Sequence, residues 1–216
     1  MPNIKAILFD MDGTLVDSIP FHTASWVSFL KKYGIMLEPE QFKAQNHGNI
    51  DEMNKRFFGE AISTEKRIEL GNEKEVMYRD LYRHQIREID GLTDFLKALN
   101  EQKITVALAT MGDQTNIGFI LDAIKIRPYF QYITGGNEIH KGKPDPEIYE
   151  LSLKKMNLKA TDCVVIEDSI DGVLSAQKAG IKVIGITTSH TADELTKAGC
   201  FYTITDFREL DLDHLL

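Results

Sequence analysis

From residue 91 onward, short β-branched apolar runs alternate with amphipathic segments, and that alternation leaves few folds open to the chain. The runs are Ile104 to Ala109, Cys163 to Ile166, Val183 to Ile186 and Phe201 to Ile204, with a weaker one at Tyr132-Ile133. Helical spacing marks Leu92 to Leu99, Thr115 to Ile124, Pro146 to Met156, Ile170 to Ala179 and Ala192 to Ala198. Strands that each return through a helix build a parallel sheet covered on both faces, so the expected class is α/β. The opening run Ile4 to Phe9 adds one more strand to that sheet.

Residues 18 to about 88 read differently, with helical stretches and no convincing strand. One stretch carries Trp26, Phe29, Leu30 and Tyr33 on one face before Gly34; another, from about Thr64 to His84, is heavily charged. The expected organisation is a core of residues 1–16 and 89–216 with a helical insertion at 17–88. The crossings near Val16–Ser18 and Arg87–Gly91 are hinge candidates. The 216 residues suffice for one α/β domain of about 140 residues and a smaller insertion.

A formal net charge of −8 disfavours nonspecific binding to nucleic acid or anionic membranes. No apolar run approaches the roughly 18 residues of a membrane span, and the N-terminus lacks a signal-peptide pattern. A cytoplasmic protein without nucleic-acid or membrane partners is expected, monomeric by default. Cys163 and Cys200 fit free thiols in a reducing compartment, and no zinc-ligand spacing occurs.

Four polar clusters follow strand runs or adjoining loops at one end of the expected sheet. Asp10 and Asp12 follow the first run in Asp10-Met-Asp-Gly-Thr14, where Gly13 permits a sharp turn. Thr110 follows the second, ahead of Met111-Gly112; Lys143 lies in Lys141-Gly-Lys-Pro-Asp-Pro-Glu147; Glu167-Asp168-Ser169 follows Cys163 to Ile166. Ligands of open α/β sheets bind beyond these carboxyl ends. The set suits phosphoryl transfer, where catalysis is largely positioning and charge neutralisation. Asp10 reads as the nucleophile, and Asp12 as the acid that protonates the leaving alcohol and then deprotonates water. Carboxylates at opposing strand ends suit Mg²⁺, with Asp10, Asp12, Glu167 and Asp168 as candidate ligands. Lys143 and Thr110, aided by backbone N–H groups after Asp10 and Thr110, would hold the phosphoryl oxygens, with Met111 and Gly112 as candidate substrate contacts. Pro144 restricts Lys143, and Asp145-Pro146 reads as a helix cap with proline at the first helical position. Lys141 reads as a solvated loop charge. Asp168 or Ser169 also reads as a helix cap, a role compatible with metal binding.

Motif by motif, D-x-D-G-T, the strand-terminal Thr110, the K-P-x-P loop and E-D-S-x-x-G-V resemble the haloacid dehalogenase superfamily over nearly the whole chain. The resemblance implies a Rossmann-like core and a four-helix cap that closes over it. Within the superfamily, the cap resembles that of β-phosphoglucomutase and related sugar-phosphate phosphatases. By that resemblance His22 sits at a hinge beside the acid/base and Lys74 reaches the site as a substrate contact. Read alone, His22 fits a partly buried helix residue, Lys74 a solvated one and Trp26 core.

The departures bear on substrate. Cations that hold a second phosphate in the mutase have no counterpart in His47-Gly-Asn-Ile-Asp-Glu52 or in Thr110-Met-Gly-Asp-Gln114. A bisphosphate would meet Asp113 and Asp51, a like-charge placement that costs affinity. The expected activity is hydrolysis of a sugar or polyol monophosphate, a small-molecule ester, with phosphomutase activity as the alternative.

Overall fold

A computed structural model describes residues 4–211. Along the chain run β1 (Ala6–Phe9), α1 (Ile19–Lys32), α2 (Pro39–Lys43), α3 (Ile50–Phe58), α4 (Thr64–Tyr82), α5 (Leu92–Glu101), β2 (Thr105–Ala109), α6 (Gln114–Ala123) and β3 (Tyr132–Thr134). There follow α7 (Glu147–Met156), β4 (Cys163–Glu167), α8 (Ile170–Lys178), β5 (Lys182–Ile186), α9 (Ala192–Ala198) and β6 (Tyr202–Ile204). The chain divides into two compact units, one of residues 1–17 and 87–216, the other Ser18–Ile86.

The first unit is the expected α/β sheet. Its six strands lie in the order β3-β2-β1-β4-β5-β6, all parallel. β1 is buried at every residue because helices cover both faces. Ala6 and Leu8 face a core completed by Ile148 and Tyr149 of α7, Val173 and Ala176 of α8 and Leu195 of α9. The opposite face places Phe9 against the rings of Phe95, Phe130 and Phe207. Connections leave β1 toward β2 and β3 on one side, and β4 leads to β5 and β6 on the other. The direction reverses between β1 and β4, where such sheets open a crevice at their carboxyl ends. Both cysteines are buried free thiols.

The residues that leave and re-enter this unit run side by side: Val16 bridges Glu88, and the Ile89 N–H donates to the Leu15 carbonyl at 2.9 Å. Helix α7 begins at Glu147, one residue later than the sequence suggests. Pro146 takes the cap position, while Asp145 Oδ1 accepts from the Glu147 N–H at 3.1 Å.

The second unit contains α1–α4 and, among the described residues, no strand. Trp26, Phe29, Leu30, Phe42, Met53 and Leu70 form its core. The charged helix α4 ends at Tyr82 and packs through residues four apart, Leu70, Lys74, Tyr78 and Tyr82, all buried. The solvated reading of Lys74 therefore fails: its place on this stripe leaves it 1% exposed. No described helix is long and apolar enough to cross a membrane.

Candidate active site

Asp10 directly follows β1, and its N–H donates to the Ile166 carbonyl of β4 at 3.1 Å. The parallel register sets the carboxylates of the two strands side by side beyond the last sheet bonds. Asp10, Glu167 and Asp168 are all buried and offer carboxylate oxygens within 4.8 Å of one another. Three carboxylates buried so close together repel one another when ionised, and a cation among them relieves that repulsion.

Lys143 supplies one. Its Nζ donates to Asp10 Oδ1 and to Glu167 Oε1 at 2.6 Å each, and to the Ala109 carbonyl at 3.3 Å. These contacts employ all three ammonium protons. Lys143 thus holds Asp10 in this structure, where the sequence reading had it facing a phosphoryl oxygen. Lys141 stays solvent-exposed, 3.9 Å from Asp145.

Glu167 is saturated. Oε1 also accepts from the Tyr149 hydroxyl at 3.2 Å. Oε2 accepts from the N–H groups of Asp168 and Ser169 and from Ser169 Oγ, at 2.9–3.0 Å. The packing has no room for a side chain at Gly172, where a Cβ would lie 1.7 Å from Glu167 Oε1. Among the candidate metal ligands Glu167 is therefore committed to Lys143 and the turn into α8, and Ser169 caps that helix through the Gly172 N–H. Asp12 is only half-buried and lies outside the buried trio.

Burial pushes Asp10 up to about 7, against the pull of Lys143, because Glu167 and Asp12 add repulsion. Burial raises Asp168 well above the usual carboxylate range, reinforced by Glu167 and Asp10. Glu167 ends below its ordinary value: burial opposes ionisation, but Lys143 and the Ser169 hydrogen bonds outweigh it. Burial disfavours the Lys143 ammonium too, yet the two anions beside it keep it protonated well above 10.5. One lysine cannot neutralise three carboxylates. An all-oxygen donor set with surplus negative charge fits a hard divalent cation.

Thr110 ends β2; its N–H donates to the Thr134 carbonyl and its Oγ1 accepts from the Gly112 N–H at 3.0 Å. That bond uses the Gly112 N–H to fold the loop that follows β2. The neighbouring Met111 is partly buried. Asp113 caps α6, accepting from the Asn116 N–H at 2.7 Å.

In the helical unit, Lys74 Nζ donates to His22 Nδ1 and Glu75 Oε1 at 2.9 Å each, above the Trp26 ring. The His22 ring stacks on Tyr78 at 3.7 Å. Asp51 is paired with Lys55 and Arg67.

The sequence reading missed Tyr149 and the loop after β5. There Thr188 Oγ1 donates to the Gly13 carbonyl and Ser189 Oγ to Asp168 Oδ2. The hydroxyl run Thr187-Thr-Ser-His190 directly after the apolar run Val183 to Ile186 was the available signal.

Residues 7–186 match the model of the haloacid dehalogenase-like hydrolases. A phosphorylated carbohydrates phosphatase of Thermotoga maritima is 29% identical over 196 residues, covering 86% of this chain and 87% of the relative. Hexitol phosphatase A of Escherichia coli is 30% identical over 188 residues, covering 84% and 82%. A haloacid dehalogenase hydrolase of family IA, variant 3, from Entamoeba histolytica superposes with a TM-score of 0.88 at 30% identity, over 98% and 97% of the two chains. The chain belongs to the haloacid dehalogenase-like hydrolases. It is an enzyme of that superfamily that hydrolyses phosphate monoesters.

Proposed function

We propose that this chain is a Mg²⁺-dependent phosphatase that hydrolyses a sugar or polyol monophosphate through an aspartyl-phosphate on Asp10. The observation that carries this reading is the buried Asp10 carboxylate, gripped by Lys143 beside Asp168 at the switch point of the sheet. A carboxylate oxygen of Asp10 attacks phosphorus as the ester P–O bond breaks, and Asp12 gives its proton to the departing alcohol. Water then attacks the phosphorus, Asp12 takes its proton, and the bond to Asp10 breaks to release phosphate. Partial exposure suits Asp12 to this shuttling, whereas Asp10 is buried and held by Lys143. Asp10 and Asp168 would hold the Mg²⁺, which supplies charge neutralisation between an anionic nucleophile and an anionic ester. Lys143 orients Asp10, and the Thr110 hydroxyl is placed to meet a phosphoryl oxygen.

The activities for which the Thermotoga and Escherichia relatives are named support a phosphorylated carbohydrate or polyol as substrate. Asp113 supports a monophosphate, since it keeps an acid at the mouth of α6. Asp51 no longer contributes to that argument, being neutralised by Lys55 and Arg67. Phosphate release across about a hundred phosphorylated metabolites, with and without EDTA, tests the proposal. A metal-independent profile, or release undiminished in Asp10→Asn, overturns it. The mutase alternative draws on the His22–Lys74 contact. Conversion of β-glucose 1-phosphate to glucose 6-phosphate with a trace of the 1,6-bisphosphate, and without phosphate release, would establish it instead.

A further inference from the structure

The loop after β5 touches the site at three successive side chains. Thr188 Oγ1 donates to the carbonyl of Gly13, Ser189 Oγ to Asp168 Oδ2, and His190 Nδ1 to the Asp168 carbonyl at 3.1 Å. Gly13 is itself pressed against Asp168, because a Cβ there would sit 2.0 Å from Asp168 Oδ2 and 3.1 Å from Ser189 Oγ. Its φ of +87° already requires glycine. The loop after β1, the acid after β4 and the hydroxyl loop after β5 thus meet within one hydrogen-bond length.

Asp168 needs such a clasp. It lies just past the end of β4, in the turn before α8, where no sheet bond holds its side chain, and it is 2% exposed beside Asp10 and Glu167. Repulsion from those two anions would swing its carboxylate away. Lys143 attracts Asp168 through space but gives it no hydrogen bond to fix its orientation, since its protons go to Asp10, Glu167 and the Ala109 carbonyl. The Ser189 hydroxyl anchors one carboxylate oxygen, Oδ2, so that the other would remain available to the cation. His190 secures the backbone of the same residue.

We infer that Ser189 is a positioning residue for the metal site, setting the Asp168 carboxylate for the divalent cation, with Thr188 and His190 tying the same loop to Gly13 and to the Asp168 backbone. This rests on the reading that Asp10 and Asp168 hold the cation. Hydrogen-bonded partners of metal ligands are worth about tenfold or more in metal affinity.

The test is Mn²⁺ binding to the purified full chain, followed by electron paramagnetic resonance, together with melting temperature in EDTA. Ser189→Ala is expected to weaken Mn²⁺ about tenfold, and Ser189→Thr, which keeps the hydroxyl, to restore most of it. A role confined to holding the loop would lower the EDTA melting temperature of Ser189→Ala and leave its Mn²⁺ affinity at the wild-type value. That result, or Ser189→Thr binding as weakly as Ser189→Ala, overturns the inference. Asp168→Asn separates the two readings. If it binds Mn²⁺ as tightly as wild type, the assignment of the metal site itself fails; if it alone loses binding, only the role of Ser189 fails.

Discussion

Two lysines are buried to a similar depth in the two units, and they are kept there by different means. Lys143 in the α/β unit lies between two carboxylates, with its three protons on Asp10, Glu167 and a carbonyl. Lys74 in the helical unit meets an imidazole, one carboxylate that keeps partial exposure, and the faces of Trp26 and Tyr78. The first arrangement is an electrostatic keystone: removing the cation takes away the positive charge that two of three crowded, buried carboxylates share. In the second, the aromatic rings and the helix stripe around Lys74 persist without its charge. A buried lysine of the first kind is fixed by the charges it pairs, whereas one of the second kind is held chiefly by the packing around it.

The sharpest break in the comparison comes from the acid that Lys143 holds. Asp10→Asn is expected to lower phosphate release at least about 10³-fold, measured with a generic aryl phosphate under saturating Mg²⁺. Lys143→Met should follow, with about a 10²-fold loss in kcat. Breaking a buried pair from one side costs about 3–5 kcal/mol, so its melting temperature should drop by roughly 6–20 °C. Lys74→Met should leave the melting temperature within about 3 °C and lower kcat/KM for the preferred ester about tenfold, with far less effect on an aryl phosphate. Equal destabilisation by the two substitutions would erase the distinction drawn between the lysines.

The smallest effect is in pH. Asp10, raised from 3.8 to about 7, binds its proton more tightly folded than unfolded. Between those values the native state carries the extra proton, so its stability falls as pH rises. Asp168, also raised, acts in the same sense. Glu167, lowered from 4.5, has the opposite slope but only at more acidic pH. In EDTA the melting temperature should therefore decline by a few degrees from pH 5 to 7.5. Mg²⁺ should reverse the decline, and Asp10→Asn should flatten it. A rising curve in EDTA would contradict the crowding of carboxylates inferred here.

The α/β class, all six strands and the five core helices were legible because burial leaves a periodic signature: β-branched runs for strands sheathed on both faces, a 3.6-residue rhythm for helices. Asp10, Thr110 and Asp168 were legible because polar residues stand where those runs stop. Lys74 was misread because α4 carries charges on so much of its surface that its stripe at every fourth residue is hard to see. The commitment of the Gly112 N–H to Thr110 depends on loop geometry that spacing does not encode.

The sequence by itself determined which chemical groups gather at one edge of a parallel sheet, since the alternation of strand and helix and the polar residues where each strand stops are written in local pattern. Only the tertiary structure decided how those groups divide the work. It gave Lys143 to Asp10 and Glu167, saturated Glu167 with the turn into α8, and brought Ser189 from a fifth strand to Asp168. Those assignments turn on distances of a few ångströms between residues far apart in the chain. Hydrogen bonds and ion pairs are that short-ranged, and no periodicity along the sequence records which donor reaches which acceptor.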